Sequence, residues 1–183
     1  MTTKVKPEKN KKSSKPKNPK ETKKDKIQNK VLVVYYSRTG LTRKVSESIC
    51  KKLGAQLSEI VDKKDRSGAM GYLIAGKDAT QKKITQITYD IKPSDYGTII
   101  IGGPVWAWTM SPAIRSYITE NKDILKTKKL AFFATQGGDG AEKKFKAMQE
   151  IIGSGPAHTL IINSRDFRDG SFEKKIDGFV KSF

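Results

Sequence analysis

The stretch VLVVYYSRTGLTRK, residues 31–44, decides how the rest of this chain is read. Six apolar or aromatic residues in a row suit a strand covered on both faces, the habit of a parallel sheet. The run then breaks into Ser37-Arg38-Thr39-Gly40-Leu41-Thr42, after which Leu41, Val45, Ile49 and Leu53 recur every four residues. That spacing marks one face of a helix, with Gly54 as its natural C-terminal stop. A turn here needs only the glycine. Hydroxyls next to the free N–H groups of a starting helix make a cradle for an anion, and Gly40 lets the backbone approach it closely.

Outward from this stretch the same alternation continues. Thr98–Gly102, Leu130–Thr135 and Leu160–Asn163 read as further buried strands, and the mixed run Gln56–Asp62 as an edge strand. Between them lie helical patterns. Ser111-Pro112 is an N-cap before a proline at the first helical position, with Ile114, Tyr117 and Ile118 on one face. Phe145, Met148 and Ile152 mark a helix over residues 140–152, and Ser171 begins a last one carrying Phe172, Ile176, Phe179 and Val180. A short helix is expected around Gly71–Gln81. Five strands alternating with helices predict an open, doubly wound α/β sheet in three α/β/α layers. In such sheets ligands bind beyond the carboxyl ends of the strands, near the point where strand order reverses.

Three strand ends stand out. The first is the hydroxyl loop. It lacks the Walker pattern and the G-x-G-x-x-G dinucleotide fingerprint, and it has no cysteine to serve as a phosphatase nucleophile. The second runs from Gly102 through Gly103, Pro104, Val105, Trp106, Ala107 and Trp108 to Met110. Its tryptophans offer flat surfaces to a planar ligand, or alternatively plug the core or cover a helix end. The third is Thr135-Gln136-Gly137-Gly138-Asp139-Gly140, whose backbone groups can approach polar ring edges; Asp139 either binds such an edge or caps the following helix. One loop suits a phosphate, the next a flat ring, the third the ring's polar edge. The phosphorylated flavin FMN has those three parts.

The run Y-S-R-T-G-L-T resembles the phosphate loop of the flavodoxin family, [ST]-x-T-G-x-T at the end of the first strand. I-I-I-G-G-P-V-W-A-W-T-M-S-P is similar to its second loop, commonly G-[TS]-P-V-W-A before a proline-started helix, and F-F-A-T-Q-G-G-D-G to its glycine-rich third loop. D-R-S-G-A-M-G-Y-L-I-A-G-K-D-A is similar to a region of short bacterial and archaeal flavodoxin-like proteins. The resemblance spans residues 30–183. It implies a five-stranded parallel sheet of order 2-1-3-4-5 and a noncovalent FMN. Ser37, Thr39, Gly40 and Thr42 would then hold the phosphate, with Arg38 and Leu41 contributing mainly backbone. Pro104, Val105, Trp106 and Ala107 would lie along the isoalloxazine, with Trp108 beside them, and Thr135, Gln136, Gly137, Gly138, Asp139 and Gly140 would approach its pyrimidine side. Two departures are visible: Gly103 replaces a more usual hydroxyl residue, and Trp108 stands where the family more often has a small or polar one.

The charge of the chain bears on partners. Residues 1–30 carry twelve lysines against Glu8, Glu21 and Asp25, which is half of the net +18 of the 183-residue chain. Residues 1–29 cannot bury enough apolar surface to offset ordering and are expected to form a disordered, lysine-rich tail; residues 30–183 form the domain. The tail has neither the apolar stretch of a secretory signal nor the arginines of a transit peptide, and no run approaches a membrane span. The chain reads as cytoplasmic. Cys50 and His158 are single, which excludes an intrachain disulfide and a thiolate or histidine metal cluster; Cys50 is expected in the core and His158 in a structural role.

With no evident acid–base pair, an electron carrier is the expectation, steered by its basic surface toward acidic redox proteins rather than toward a specific nucleic acid. The alternative is an NAD(P)H-dependent FMN oxidoreductase or quinone reductase, for which the Met70–Gln81 segment would help to build a second pocket. A module of this fold that has lost its cofactor is the remaining reading. Oligomeric state is not readable from the sequence.

Overall fold

The structure, a computed structural model, describes Ile27 and residues 29–183. The expected tail, residues 1–29, lies outside the described residues apart from those two positions.

Three of the four predicted buried runs form the interior of the sheet, and the fourth, Leu160–Asn163, lies in an edge strand. Strands β1 (Val31–Tyr35), β2 (Gln56–Glu59), β5 (Thr98–Trp106), β7 (Lys129–Gln136) and β8 (His158–Asn163) are all parallel, in the order β2-β1-β5-β7-β8. Counted along the parallel strands alone, this is 2-1-3-4-5, with the reversal between β1 and β5. The period of two in each strand sorts its side chains onto two faces. Leu32, Val34, Ile99, Ile101, Leu130 and Phe132 point to one core, where they meet helices α3 (Pro112–Leu125) and α4 (Ala141–Ile152) through Ile114, Tyr117, Ile118, Phe145 and Met148. Val33, Tyr35, Ile100, Ala131, Phe133 and Ile162 point to the other, where α1 (Leu41–Leu53) and α6 (Phe172–Val180) supply Val45, Ile49, Phe172, Ile176 and Phe179. Each fully buried aliphatic or aromatic side chain contributes about 1.5–3 kcal/mol, which is why both faces of these strands read as continuously apolar.

The sheet departs from the expected five strands in two places. The edge run Gln56–Asp62 breaks at Ile60. Its N–H donates to the Tyr35 carbonyl and its side chain is buried, and Val61–Asp62 then leave as β3 to pair antiparallel with β4 (Ile87–Thr88). The second loop is also mostly strand. Strand β5 runs through Pro104 to Trp106, four residues past the expected end, and turns back as a sixth, antiparallel strand β6 (Thr109–Met110). A proline is tolerated there because the β1 partner runs out at Gly102, leaving β5 one free side. At Gly102 itself an added Cβ would fall 1.8 Å from the Phe133 ring, so only glycine lets that ring cross the strand.

Helix α2 (Gly68–Thr80) begins three residues earlier than the sequence suggests. A short helix α5 (Ser164–Asp169), not foreseen, precedes α6; its N-cap Asn163 and Asp166 form a reciprocal capping box. Cys50 is half-buried with its thiol on the Ala55 carbonyl, and burial pushes its pKa up. The His158 ring packs 5.4 Å from that of Phe183. Among the described residues no helix is long and apolar enough to cross a membrane.

Candidate functional site

A cavity of about 610 Å³ opens beyond the carboxyl ends of β1, β5 and β7, on the side of the strand-order reversal. All three loops reach it. The first contributes Arg38, Thr39, Leu41 and Thr42; the second Pro104 to Trp108; the third Thr135 to Asp139. Ser37, Gly40 and Gly140 do not line the cavity. The Ser37 hydroxyl accepts the Gly40 N–H at 3.2 Å, so it shapes the loop from within.

The first loop feeds α1 through Gly40, at φ of 87°; the helix has no side-chain cap and no acidic residue in its first turn. The first intrahelical backbone bond there is from Lys44 N–H to Gly40 C=O, so the N–H groups of Leu41 to Arg43 have no helical acceptor. Thr42 is buried, and its hydroxyl pairs with that of Thr135 at 2.8 Å, tying the first loop to the third. Arg38 turns sideways: its guanidinium donates to the Arg66 carbonyl at 3.1 Å and lies 5.2 Å from the Tyr72 ring centre. It therefore fastens the chain before α2 to the first loop.

The tryptophan hairpin is built unusually. Ala107 and Trp108 form its two-residue turn with φ of 46° and 60°, the type I′ geometry that ordinarily selects glycine or asparagine. Each non-glycine residue held so costs about 1–2 kcal/mol. Holding it is a bond from the Trp108 indole N–H to Asp139 at 2.7 Å, which gives Asp139 its role: it neither caps α4 nor points a free carboxylate at the cavity. Trp108 stays 59% exposed, whereas Trp106 is half-buried with Tyr36 edge-on at 5.6 Å. Burial pushes the Tyr36 hydroxyl up to about 12, keeping it neutral at physiological pH.

In the third loop Gln136 spends its amide internally, accepting from Ala141 N–H at 3.0 Å and donating to Asn163 at 2.9 Å. Gly140 has φ of 106°, and a Cβ there would stand 2.8 Å from the Trp108 backbone. The loop can close on the hairpin only because this residue is glycine.

The structure adds a further wall: its α2 part lies in the Met70–Gln81 segment that the reductase reading gave to a second pocket, and its α5 part was not assigned from the sequence. Tyr72, Leu73 and Gly76 of α2, with Ser164 and Phe167 of α5, complete the cavity. Tyr72 and Leu73 are more than half exposed, so they give α2 an unusually apolar outer face, and that was the available signal. Helix α2 is anchored by Arg66, 4% exposed, which bonds Asp62 at 2.6 Å and Asp78 at 3.0 Å. Lys64, Arg66 and Lys83 around Asp78 hold its carboxyl down at about 2, against the opposing effect of burial. Behind the cavity lies Lys144, wholly buried in the first turn of α4. The sequence reading missed it, and its place on the apolar face with Ala141, Phe145 and Met148 is the signal that could have found it.

Comparison with known proteins gives a consistent picture. Residues 69–159 match the family described as flavodoxin domain. No curated protein matches the chain. Among solved structures, a flavoprotein in complex with FMN from Lactobacillus acidophilus NCFM is 24% identical, with a TM-score of 0.59 over 78% of this chain and 98% of that one. Flavodoxin 2 from Bacillus cereus, in its oxidised form, is 20% identical with a TM-score of 0.53, over 82% and 94%. The rubredoxin oxygen:oxidoreductase of the anaerobe Desulfovibrio gigas is 17% identical, TM-score 0.54, with 87% of this chain matching 37% of that larger one. At these identities the likeness is one of fold. The chain thus has a flavodoxin-like fold, within which residues 69–159 match the flavodoxin domain.

Proposed function

We propose that the chain binds FMN in this cavity and works as an electron-transfer flavoprotein. The observation that carries the reading is the meeting, in one cavity, of an uncapped helix N-terminus with hydroxyls, a tryptophan hairpin and a glycine-rich loop. The residues present fit that group. Unbonded N–H groups at the start of α1, with the Thr39 and Thr42 hydroxyls, suit a phosphate dianion; the Thr42–Thr135 pair leaves one of its two hydroxyl protons to donate onward. The cavity volume falls in the usual range of about 300–1,000 Å³ for cofactor sites. The FMN complex of the Lactobacillus flavoprotein supports the same assignment.

FMN supplies the redox chemistry itself, and the protein supplies binding, orientation and access. Trp106, braced by Tyr36, and Trp108, braced by Asp139, would exclude water from the ring, while the third loop would meet its polar edge. The carboxylate in the wall, Asp139, is committed to Trp108, which favours shuttling electrons over proton-dependent turnover. The net charge of +18 favours acidic protein donors or acceptors.

One observation favours the second reading, an NAD(P)H-dependent FMN oxidoreductase or quinone reductase. The α2 wall of Tyr72, Leu73 and Gly76 extends the cavity beyond the three loops, room for a second planar ligand. Rapid mixing of FMN-loaded protein with NADPH distinguishes the two. A carrier stays oxidised on the timescale of seconds; fast bleaching of the flavin absorbance favours the reductase. A wild-type protein that is colourless and refuses added FMN contradicts both.

A further inference from the structure

Lys144 is 0% exposed, a rare state for lysine. Its amine donates to the carbonyls of Gly103 and, at 3.3 Å, of Phe133. Gly103 directly precedes Pro104, and Phe133 lies two residues before Thr135; Pro104 and Thr135 are register partners, and both line the cavity. The amine thus joins the second and third loops immediately behind the cavity wall. A Cβ at Gly103 would collide with Ile114 at 2.8 Å and stand in ordinary contact with the amine at 3.6 Å, so the glycine sets how closely β5 packs on α3 beside the amine.

We propose that Lys144 is a positioning residue of the cofactor site, and that its amine takes up a proton when the bound ring gains negative charge. The inference rests on the FMN reading above. Carbonyl acceptors on two strands serve either protonation state, so the joint survives the change of charge. Among the described residues no carboxylate compensates the amine. Burial alone brings its pKa down, to about 7, with no charged group of β5, β7 or α3 among the causes. Arg115, the buried cation of α3, is likewise lowered by burial only. Within α4, Glu142 is solvent-exposed and the Phe145 ring lies 5.9 Å from the amine; Asp139 is bonded to Trp108. A buried amine so poised answers whichever charge arrives next to it. A unit charge within roughly 10 Å, at an effective dielectric constant near 20, changes proton affinity by about tenfold or more.

The balance is as follows. Two electrons from an electrode, delivered through a viologen mediator whose own couple carries no protons, enter the ring. One proton forms an N–H bond on the ring, leaving it with a single negative charge. A second proton from solvent forms an N–H bond on the Lys144 amine, leaving it positive.

The test counts protons. FMN-loaded wild type, reduced at pH 8 in weak buffer with a pH indicator, should take up at least about 1.4 protons per two electrons, because a tenfold rise from a pKa of about 7 takes the amine from about one-tenth to about one-half protonated, and Lys144→Met should take up about one. Equal uptake by the two overturns the proposal. Should Lys144→Met fail to fold, wild type alone decides: the Lys144 ¹³Cε titration, followed by NMR, should show proton affinity rising about tenfold or more on reduction. An unmoved titration overturns it. A yellow protein failing these tests fails the proposal only, whereas a wild type that refuses FMN fails the function reading beneath it and the proposal with it.

Discussion

Two helices begin at the cavity, and both begin with a glycine of positive φ: α1 after Gly40 at 87°, α4 after Gly140 at 106°. The same device leads to opposite ends. Helix α1 has no cap, no first-turn acid and hydroxyls beside it, so its partial positive charge is left for something outside the chain. Helix α4 is closed by its own protein: Gln136 caps Ala141, Glu142 sits in the first turn, and the buried amine of Lys144 places a potential cation there already. Steric surroundings differ as well. A Cβ on Gly40 would meet nothing within 4 Å, while on Gly140 it would run into Trp108. An anion site is therefore defined less by a helix start than by whether the chain has already spent it.

The sharpest way to break this contrast is at the glycines. Gly140→Ala combines left-handed strain with a backbone collision and should cost about 2–4 kcal/mol in urea unfolding, with loss of the Trp108–Asp139 contact. Gly40→Ala carries the strain alone and should cost about 1–2 kcal/mol. Equal costs would remove the distinction.

Next comes the buried amine. The folded pKa of Lys144 is about 7, below its ordinary 10.5. Between those values the unfolded chain binds the extra proton, so folding stability rises with pH. The burden is fully present below about pH 7 and is relieved toward pH 10. In apoprotein denaturation curves Lys144→Met should remove a slope of up to about 1.4 kcal/mol per pH unit in that window. An unchanged slope would mean that the fold does not lower the proton affinity of the amine.

A smaller effect is expected on the open helix. Thr39→Val with Thr42→Val should weaken FMN binding by about 10–100-fold in calorimetry, as two hydroxyl partners of an anion are lost. No change would place the phosphate elsewhere. Least of all, Gln136→Ala uncaps α4 and should cost about 0.5–2 kcal/mol in thermal unfolding. A neutral result would show that the α4 end is held by the Trp108 hairpin instead.

Much of this was legible in the sequence, for identifiable reasons. Strands β1, β5 and β7 are covered on both faces, and β8 buries Leu160 and Ile162 on one, so their apolar runs announce themselves. The hydroxyl, tryptophan and glycine loops stood out because each breaks such a run with residues that a plain turn does not need. What escaped depended on contacts distant in sequence. Pro104 punctuates a chain in isolation, yet β5 passes through it once β1 has ended at Gly102. Ile60 ends β2 by turning into the core, a choice set by the Tyr35 carbonyl. Arg38 was expected to contribute mainly backbone, and the destination of its side chain, the Arg66 carbonyl twenty-eight residues on, depends on a contact that no local pattern shows. Lys144 was hidden because one charge in an apolar helical face is ordinarily a solvated neighbour.

The central claim is that the open end of α1 holds the phosphate of a flavin. It is tested most directly by titrating the apoprotein with FMN and with riboflavin, which has the same ring and no phosphate, following flavin fluorescence. The account predicts that FMN binds at least about 100-fold more tightly, a difference of about 2.7 kcal/mol. Equal affinities, or binding of neither, would contradict it.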